Sequence, residues 1–158
     1  MPVLDGKQLA HESLVNAAAL GAMAAYKAPK IAGTEIRTQV ITGDDLIPLS
    51  EILGVLGEGS AFVAGDAACS KKAHEEGTPI VELLIGADVT TSDLNWNCGA
   101  CGFNTCAEFN KHSKANKSPG AYYVGPSCNW KVLDFGLAQA WAAAAVWHQN
   151  VENRVQTS

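Results

Sequence analysis

Charged residues are scarce in this sequence, and the basic ones are neither numerous nor clustered. Only 17% of the 158 residues are charged, and 11 Lys and Arg stand against 16 Asp and Glu, which gives a formal net charge of −5. Nucleic acids and anionic membrane surfaces are bound by concentrated positive charge. The composition therefore argues against a nucleic-acid partner.

Long apolar runs are also missing. The longest, residues 14–25, is mostly alanine and falls short of the ~20 residues that a bilayer span requires. The opening residues, Met-Pro-Val-Leu-Asp-Gly-Lys-Gln, lack the basic region and apolar core of a secretory signal. We therefore expect a cytoplasmic protein with no membrane span.

Several catalytic signatures are absent as well. The sequence has no glycine-rich phosphate loop, no recognisable Ser–His–Asp arrangement and no carboxylate pair at a catalytic spacing. Its four histidines show no metal-binding spacing. Motifs and spacing therefore identify no catalytic site.

The cysteines, by contrast, are arranged in a distinct pattern. Three cysteines, Cys98, Cys101 and Cys106, lie within nine residues, and Cys128 follows at a distance. With Cys69 the total is odd, and no export signal accompanies it. In a reducing compartment such a group is more typical of a metal site than of a disulfide framework. We expect no ligand or redox role for Cys69, which stands apart.

The spacing favours one kind of metal site over two others. Structural zinc sites commonly use two CxxC pairs, and only Cys98 and Cys101 form one here. Three ligands in one loop with a distant fourth are typical of a [4Fe-4S] cluster. Gly99 and Gly102 follow two of the cysteines and permit the backbone turns that direct amides toward a cluster. Zinc and a purely structural thiol loop remain as alternatives.

Helical and strand patterns alternate along the chain, which predicts one domain over residues 1–158 with an α/β or α+β fold. The cluster-binding segment is predicted at about 95–130. The predicted helices are an Asp5-capped helix to about Lys27, a second capped by Asp44 or Asp45, a third from about Asp66 to Glu76, and a last one over Trp130–His148. The predicted strands are Glu35–Thr42, Ala61–Ala64 and Ile80–Ile85, the last nearly continuous in apolar residues and therefore expected to be central in its sheet.

The cysteine segment resembles a known domain. The stretch Asn97–Phe109, Asn-Cys-Gly-Ala-Cys-Gly-Phe-Asn-Thr-Cys-Ala-Glu-Phe, with Cys128 downstream, is similar to the small four-iron domain of corrinoid iron–sulfur proteins and of a subunit of a membrane electron-transport complex. This resemblance implies that Cys98, Cys101, Cys106 and Cys128 all bind the cluster.

Two wider resemblances cover more of the chain. Ala28-Pro29-Lys30, Gly125-Pro126-x-Cys128 and Asp134-Phe135-Gly136-Leu137-Ala138 resemble an uncharacterised family from mostly anaerobic prokaryotes that is described as containing a ferredoxin domain. The order of elements also looks like that of flavin-dependent nitroreductases. That second resemblance implies a mixed sheet with packed alanine-rich helices, a homodimer and FMN as a possible second cofactor. We expect the iron–sulfur loop that the cysteines predict to be inserted into this scaffold.

The leading hypothesis is thus a [4Fe-4S] protein that transfers single electrons, as a small donor to a redox protein or as a subunit of a redox complex. A flavin-dependent oxidoreductase and a non-catalytic module stapled by metal are the alternatives. Trp96 and Trp130 lie two residues from Cys98 and Cys128, respectively, and we expect them to shield the site from water.

Overall fold

The fold is α+β, as the sequence predicts, in a computed structural model that describes residues 3–119 and 123–156. In those ranges the elements are α1 (Gly6–Lys27), β1 (Ile36–Thr42), α2 (Leu46–Leu56), α3 (Ala61–Glu75), β2 (Val81–Ala87), α4 (Cys106–Asn116), β3 (Ser118–Pro119), β4 (Val124–Gly125) and α5 (Asn129–Trp147). Short 3-10 turns at Gly43–Asp45 and Gly57–Gly59 precede and follow α2.

Helix α1 begins and ends where the sequence predicts. The Asp5 carboxylate accepts hydrogen bonds from the backbone N–H groups of Lys7 (2.8 Å) and Gln8 (2.9 Å), which satisfies two donors that the first turn leaves free. The helix stops at Lys27, just before Ala28 and Pro29. A residue that precedes proline is held away from the helical conformation, so the chain turns there.

The strands form two small antiparallel sheets rather than the predicted mixed sheet. β1 pairs with β2 from Ile36 opposite Ala87 to Thr42 opposite Val81, while β3 and β4 form a separate two-residue ladder. The prediction that the strand at Ile80–Ile85 is central is therefore wrong for the described residues. Leu83, Ile85 and Ala87 of this strand pack against the core that α1 and α5 contribute to, and Ser70 of α3 donates a hydrogen bond to Glu82 (2.7 Å).

Small residues let α1 and α5 pack closely over this sheet. The cluster at the centre consists of Ala25, Ala28, Ile36, Ala138 and Ala142, with Leu83, Ile85, Ala87 and Phe135 packed against it. At Gly21 an added Cβ would lie 2.9 Å from Val146 Cγ2 and 3.1 Å from Leu83 Cδ2. We call this unit of α1, α5, β1 and β2 the alanine layer.

Helices α2 and α3 form a second packing unit, where one prediction is wrong and another holds in part. The segment Ala61–Ala64 is the first turn of α3 and not a strand, because the helix already begins after Ser60. Asp45 is the N-cap residue of α2, as predicted, but its side chain makes no capping hydrogen bond, since the chain enters α2 through a 3-10 turn. The unit's core is Leu53, Val63 and Ala67.

A buried carboxylate joins α5 to the loop after α1. Asp134 is fully buried, and its oxygens accept hydrogen bonds from the backbone N–H groups of Ile31 (2.6 Å), Ala32 (2.9 Å) and Thr34 (3.1 Å) and from the Thr34 hydroxyl (2.9 Å). Burial raises the pKa of Asp134, but these four hydrogen bonds favour the charged form and leave its pKa below the usual value. The Asp-Phe-Gly-Leu-Ala motif thus has a structural role here.

Candidate metal centre

The chain that leaves β2 is fastened to α4 before it reaches the cysteines. The backbone N–H of Ser92 donates to Asn110 Oδ1 (2.7 Å), and Asn110 Nδ2 donates back to the Ser92 carbonyl (2.6 Å). One turn further along α4, the Ser113 hydroxyl donates to the Thr90 carbonyl (2.7 Å). These contacts fix the path of residues 88–92 without any bound group.

Cys106 is the first residue of α4 and is buried, at 7% exposure. Thr105 caps the helix by accepting from the Glu108 N–H (3.1 Å), and Glu108 accepts in return from the Thr105 N–H (3.2 Å). This reciprocal arrangement is a capping box. The Asn97 side chain accepts a hydrogen bond from the backbone N–H of Cys106 (2.9 Å), and this bond joins the cysteine loop to the helix.

Cys128 is the residue that precedes α5, and it too is buried, at 5% exposure. Its backbone N–H donates to the Val89 carbonyl (2.7 Å). Since Val89 belongs to the segment that Asn110 and Ser113 fasten to α4, the start of α5 and the start of α4 are tied to the same stretch of chain.

Cys98 and Cys101 lie on the solvent side of the site, Cys98 exposed and Cys101 half-buried. The backbone around them turns repeatedly. Gly99 and Gly102 have positive φ values of 75° and 85°, and Asn97 has one of 51°. Residues with a Cβ rarely adopt this conformation, which explains why glycine follows each of these cysteines.

These local arrangements bring the four predicted ligands to one place. Cys98, Cys101, Cys106 and Cys128 all line the same small cavity, of about 10 Å³. Cys69 does not line it and is exposed on α3, so the structure separates it from the other four. The free space is about that of one water molecule. A larger group requires the exposed Cys98–Cys101 loop to move outward.

Two side chains donate hydrogen bonds to the cysteine sulfurs. The indole Nε1–H of Trp130 donates to Cys98 Sγ (3.3 Å), and the buried Ser92 hydroxyl donates to Cys106 Sγ (3.6 Å). Trp96 packs edge-to-face on Trp130, with ring centroids 5.9 Å apart, and is itself half exposed. Of the two predicted shielding residues, Trp130 thus contacts a thiol directly and Trp96 supports it.

The environment of Cys106 favours its thiolate form. The backbone N–H of Asn97 and the Ser92 hydroxyl lower the pKa of the Cys106 thiol, against the opposing effect of burial. A thiolate, not a thiol, is the form that binds metals. The donors around Cys106 are therefore of the kind that a metal-binding cysteine needs.

Four cysteine thiolates are the donor set of structural zinc sites and of [4Fe-4S] clusters alike. In the described residues no three His, Cys, Asp or Glu side chains are grouped closely enough to hold a metal ion as they stand. The donor chemistry of the four cysteines therefore fits either group.

Sequence reasoning missed several polar residues that build the site. Four polar side chains hold the backbone at the site: Ser92, Asn97, Asn110 and Ser113. No sequence motif predicts their contacts, because the contacts join residues that are not neighbours in the chain. The capping box is the exception. Its Thr-x-x-Glu signature, from Thr105 to Glu108, is readable in the sequence and marks the start of α4 at Cys106.

A larger cavity, of about 450 Å³, lies between α1, β2, α5 and residues 151–156. It shares no lining residue with the cysteine cavity. Arg154 is the one Lys or Arg in its described lining, and it is paired with Asp66. A flavin phosphate is normally held by donors and positive charge that are not already engaged. The cavity therefore lends the FMN prediction no support.

No helix in the described ranges is long and apolar enough to cross a membrane. No protein-family profile matches the chain, and no solved structure is significantly similar to it. An uncharacterized protein of Archaeoglobus fulgidus is 28% identical over 154 residues, which cover 97% of this chain and 78% of that relative. The similarity therefore extends through the cysteine segment as well as the alanine layer.

Proposed function

We propose that the protein binds a [4Fe-4S] cluster through four cysteines and transfers single electrons. The proposed ligands are Cys98, Cys101, Cys106 and Cys128. The observation that carries the proposal is that these four thiols, three from one loop and one from the start of α5, line the same cavity, while Cys69 lies elsewhere. When bound, such a cluster accepts and donates one electron at a time.

The protein's own groups are suited to stabilise the additional negative charge of a reduced site. The indole N–H of Trp130 and the Ser92 hydroxyl donate to two of the sulfurs. Hydrogen bonds to sulfur are among the factors that set the potential of such a site.

The exposure of the four cysteines is uneven, and this favours one route for electrons. Cys106 and Cys128 are buried, whereas Cys98 is exposed beside the half-exposed Trp96. A partner protein therefore reaches the site most closely on the Cys98 side. We propose that the partner is a redox protein or a redox enzyme complex in the cytoplasm.

A metal that serves only as a structural staple is less well supported. Residues 88–92, the start of α4 and the start of α5 are already joined by hydrogen bonds between protein groups. A structural zinc site, by contrast, commonly supplies folding energy that a small segment lacks. Because hydrogen bonds already hold the backbone around the cysteines, a structural metal ion would add little folding energy there.

Anaerobic purification followed by absorption and electron paramagnetic resonance spectroscopy tests the proposal. We expect a brown protein whose broad absorption bleaches on reduction and which then gives a paramagnetic signal. Flavin absorption bands would move the assignment to a flavin-dependent oxidoreductase. A colourless protein that contains one zinc per chain would refute iron–sulfur electron transfer.

A further inference from the structure

The outer face of α5 is apolar, and the described residues leave it exposed. Six residues of the helix are exposed: Leu133, Gly136, Ala140, Trp141, Ala144 and Trp147. Trp141 is 48% exposed and Trp147 is 66% exposed. We propose that this face is the contact between two copies of the chain, related by a two-fold axis.

The total exposed surface gives the first argument. The chain exposes 10105 Å², whereas a compact monomer of 16.5 kDa exposes about 7,500 Å². The excess is about 2,600 Å² per chain, or about 5,200 Å² for two chains, which is at the upper end of the total of about 2,000–5,000 Å² that a permanent homodimer buries.

The absence of charge gives the second argument. Between Val132 and Trp147 the only charged residue of α5 is Asp134, and its carboxylate is buried against the loop after α1. A helix that faces water normally carries charged residues on its outer side, and one that is apolar all round is normally buried. The neighbouring α1 behaves alike, since residues 14–26 contain no charge although Met23 is 61% exposed.

The shape of the face points to a second copy rather than to a different protein. Gly136, Ala140 and Ala144 are small exposed residues of α5, and Trp141 and Trp147 are large exposed ones. In a two-fold contact each copy offers the same patch to the other. An antiparallel crossing of two α5 helices would let the rings of one copy pack against the small residues of the other. An uncharged patch also offers no electrostatic means of selecting a different partner.

Sedimentation of the full chain over a range of concentrations tests the proposal without any substitution. We expect twice the chain mass of 16.5 kDa at micromolar concentration. A monomer throughout that range would overturn the proposal. The proposal does not depend on the cluster, so the sample can be examined with and without iron.

Matched substitutions then test the face itself. Trp141→Glu should weaken dimerisation about 100-fold or more, because each dimer carries the buried charge twice. Phe62→Glu is the control, since Phe62 is 82% exposed but lies on α3. If both variants stay dimeric, or if Phe62→Glu also dissociates the dimer, α5 is not the contact. If circular dichroism shows that Trp141→Glu has lost its helices, the variant Ala144→Lys is tested in its place.

Discussion

The alanine layer and the cysteine segment are held together by different forces. In the layer, small side chains such as Ala25 and Ala138 are completely buried, and helices approach closely enough that a single methyl group at Gly21 meets its neighbours. In the cysteine segment, Ser92, Asn110 and Ser113 fasten an irregular backbone through hydrogen bonds. The layer should therefore be sensitive to added volume, and the segment to lost polar groups and lost thiols.

This difference suits the proposed function. Where α1 and α5 meet at Gly21, the packing leaves no room for an added methyl group. A loop fastened by side-chain hydrogen bonds can instead turn repeatedly and keep one thiol, that of Cys98, at the surface. The irregular segment, and not the alanine layer, thus forms the site.

The largest effect should come from the fourth ligand. Cys128→Ala removes a thiol that cannot be replaced from its own loop, and we expect the iron content to fall from about four atoms per chain to below one. Cys69→Ala is the matched control, because Cys69 lies outside the cysteine cavity and should leave the iron content unchanged. Iron and sulfide analysis of anaerobic samples measures both. An unchanged four-iron signal in Cys128→Ala would refute this ligand assignment.

Next in size is the buried carboxylate at the edge of the alanine layer. Asp134→Ala leaves four donors in the loop after α1 without their acceptor, and we expect the free energy of unfolding to fall by about 3–4 kcal/mol. Glu35→Ala, at an exposed ion pair with Arg37, should cost at most about 1 kcal/mol. Urea unfolding measures both values. Equal losses in the two variants would contradict the role given to Asp134.

The same carboxylate predicts how stability depends on pH. The pKa of Asp134 is lowered in the folded protein, so its contribution is fully present above the ordinary aspartate pKa of about 3.9. That contribution should disappear as the pH falls from there toward the lower pKa of the folded state. Asp134→Asn should therefore show a shallower loss of stability than the wild type below about pH 4. Parallel pH profiles for the two proteins would show that Asp134 does not titrate in this way.

A smaller pair of effects compares two helical glycines. Gly54→Ala, where nothing lies within 4 Å of the added methyl, should stabilise the protein by about 1 kcal/mol through helix propensity. Gly21→Ala gains the same propensity, but its methyl would lie 2.9 Å from Val146, and we expect a net loss of about 1 kcal/mol. Thermal or urea unfolding distinguishes them. If both substitutions stabilise equally, α1 and α5 are not closely packed at Gly21.

The smallest effect concerns the indole donor. Trp130→Phe keeps an aromatic ring against Trp96 but removes the hydrogen bond to Cys98, which should disfavour the reduced site by about threefold, or roughly 30 mV for one electron. Trp96→Phe is the control, because Trp130 is the ring that donates to the thiol. A redox titration followed by electron paramagnetic resonance measures both. An unchanged reduction potential in Trp130→Phe would show that the hydrogen bond from Trp130 to Cys98 does not stabilise the reduced site.

The sequence predicted those features that depend on neighbouring residues. Asp5 capping, the stop at Pro29 and the strand that ends at Thr42 are local, and the structure confirms them. The short apolar run Ala61–Ala64 contains too little periodicity to separate a strand from a helix, and the strand prediction there is wrong.

Contacts across long stretches of chain could not be predicted in the same way. Asp134 contacts residues about one hundred positions away, and Ser92 and Asn110 meet only because the fold brings them together. The four cysteines were predicted from spacing and from resemblance, and the structure places them around one cavity. The hydrogen bonds that hold the backbone of the cysteines depend on the tertiary fold, and the spacing of the cysteines in the sequence does not predict that fold.

Native mass spectrometry of the anaerobically purified chain tests the central proposal most directly. The account predicts that each chain carries the added mass of four irons and four sulfides, and that this mass is retained in Cys69→Ala and lost in Cys128→Ala. A chain that carries no added mass, or that of a single zinc ion, would contradict it.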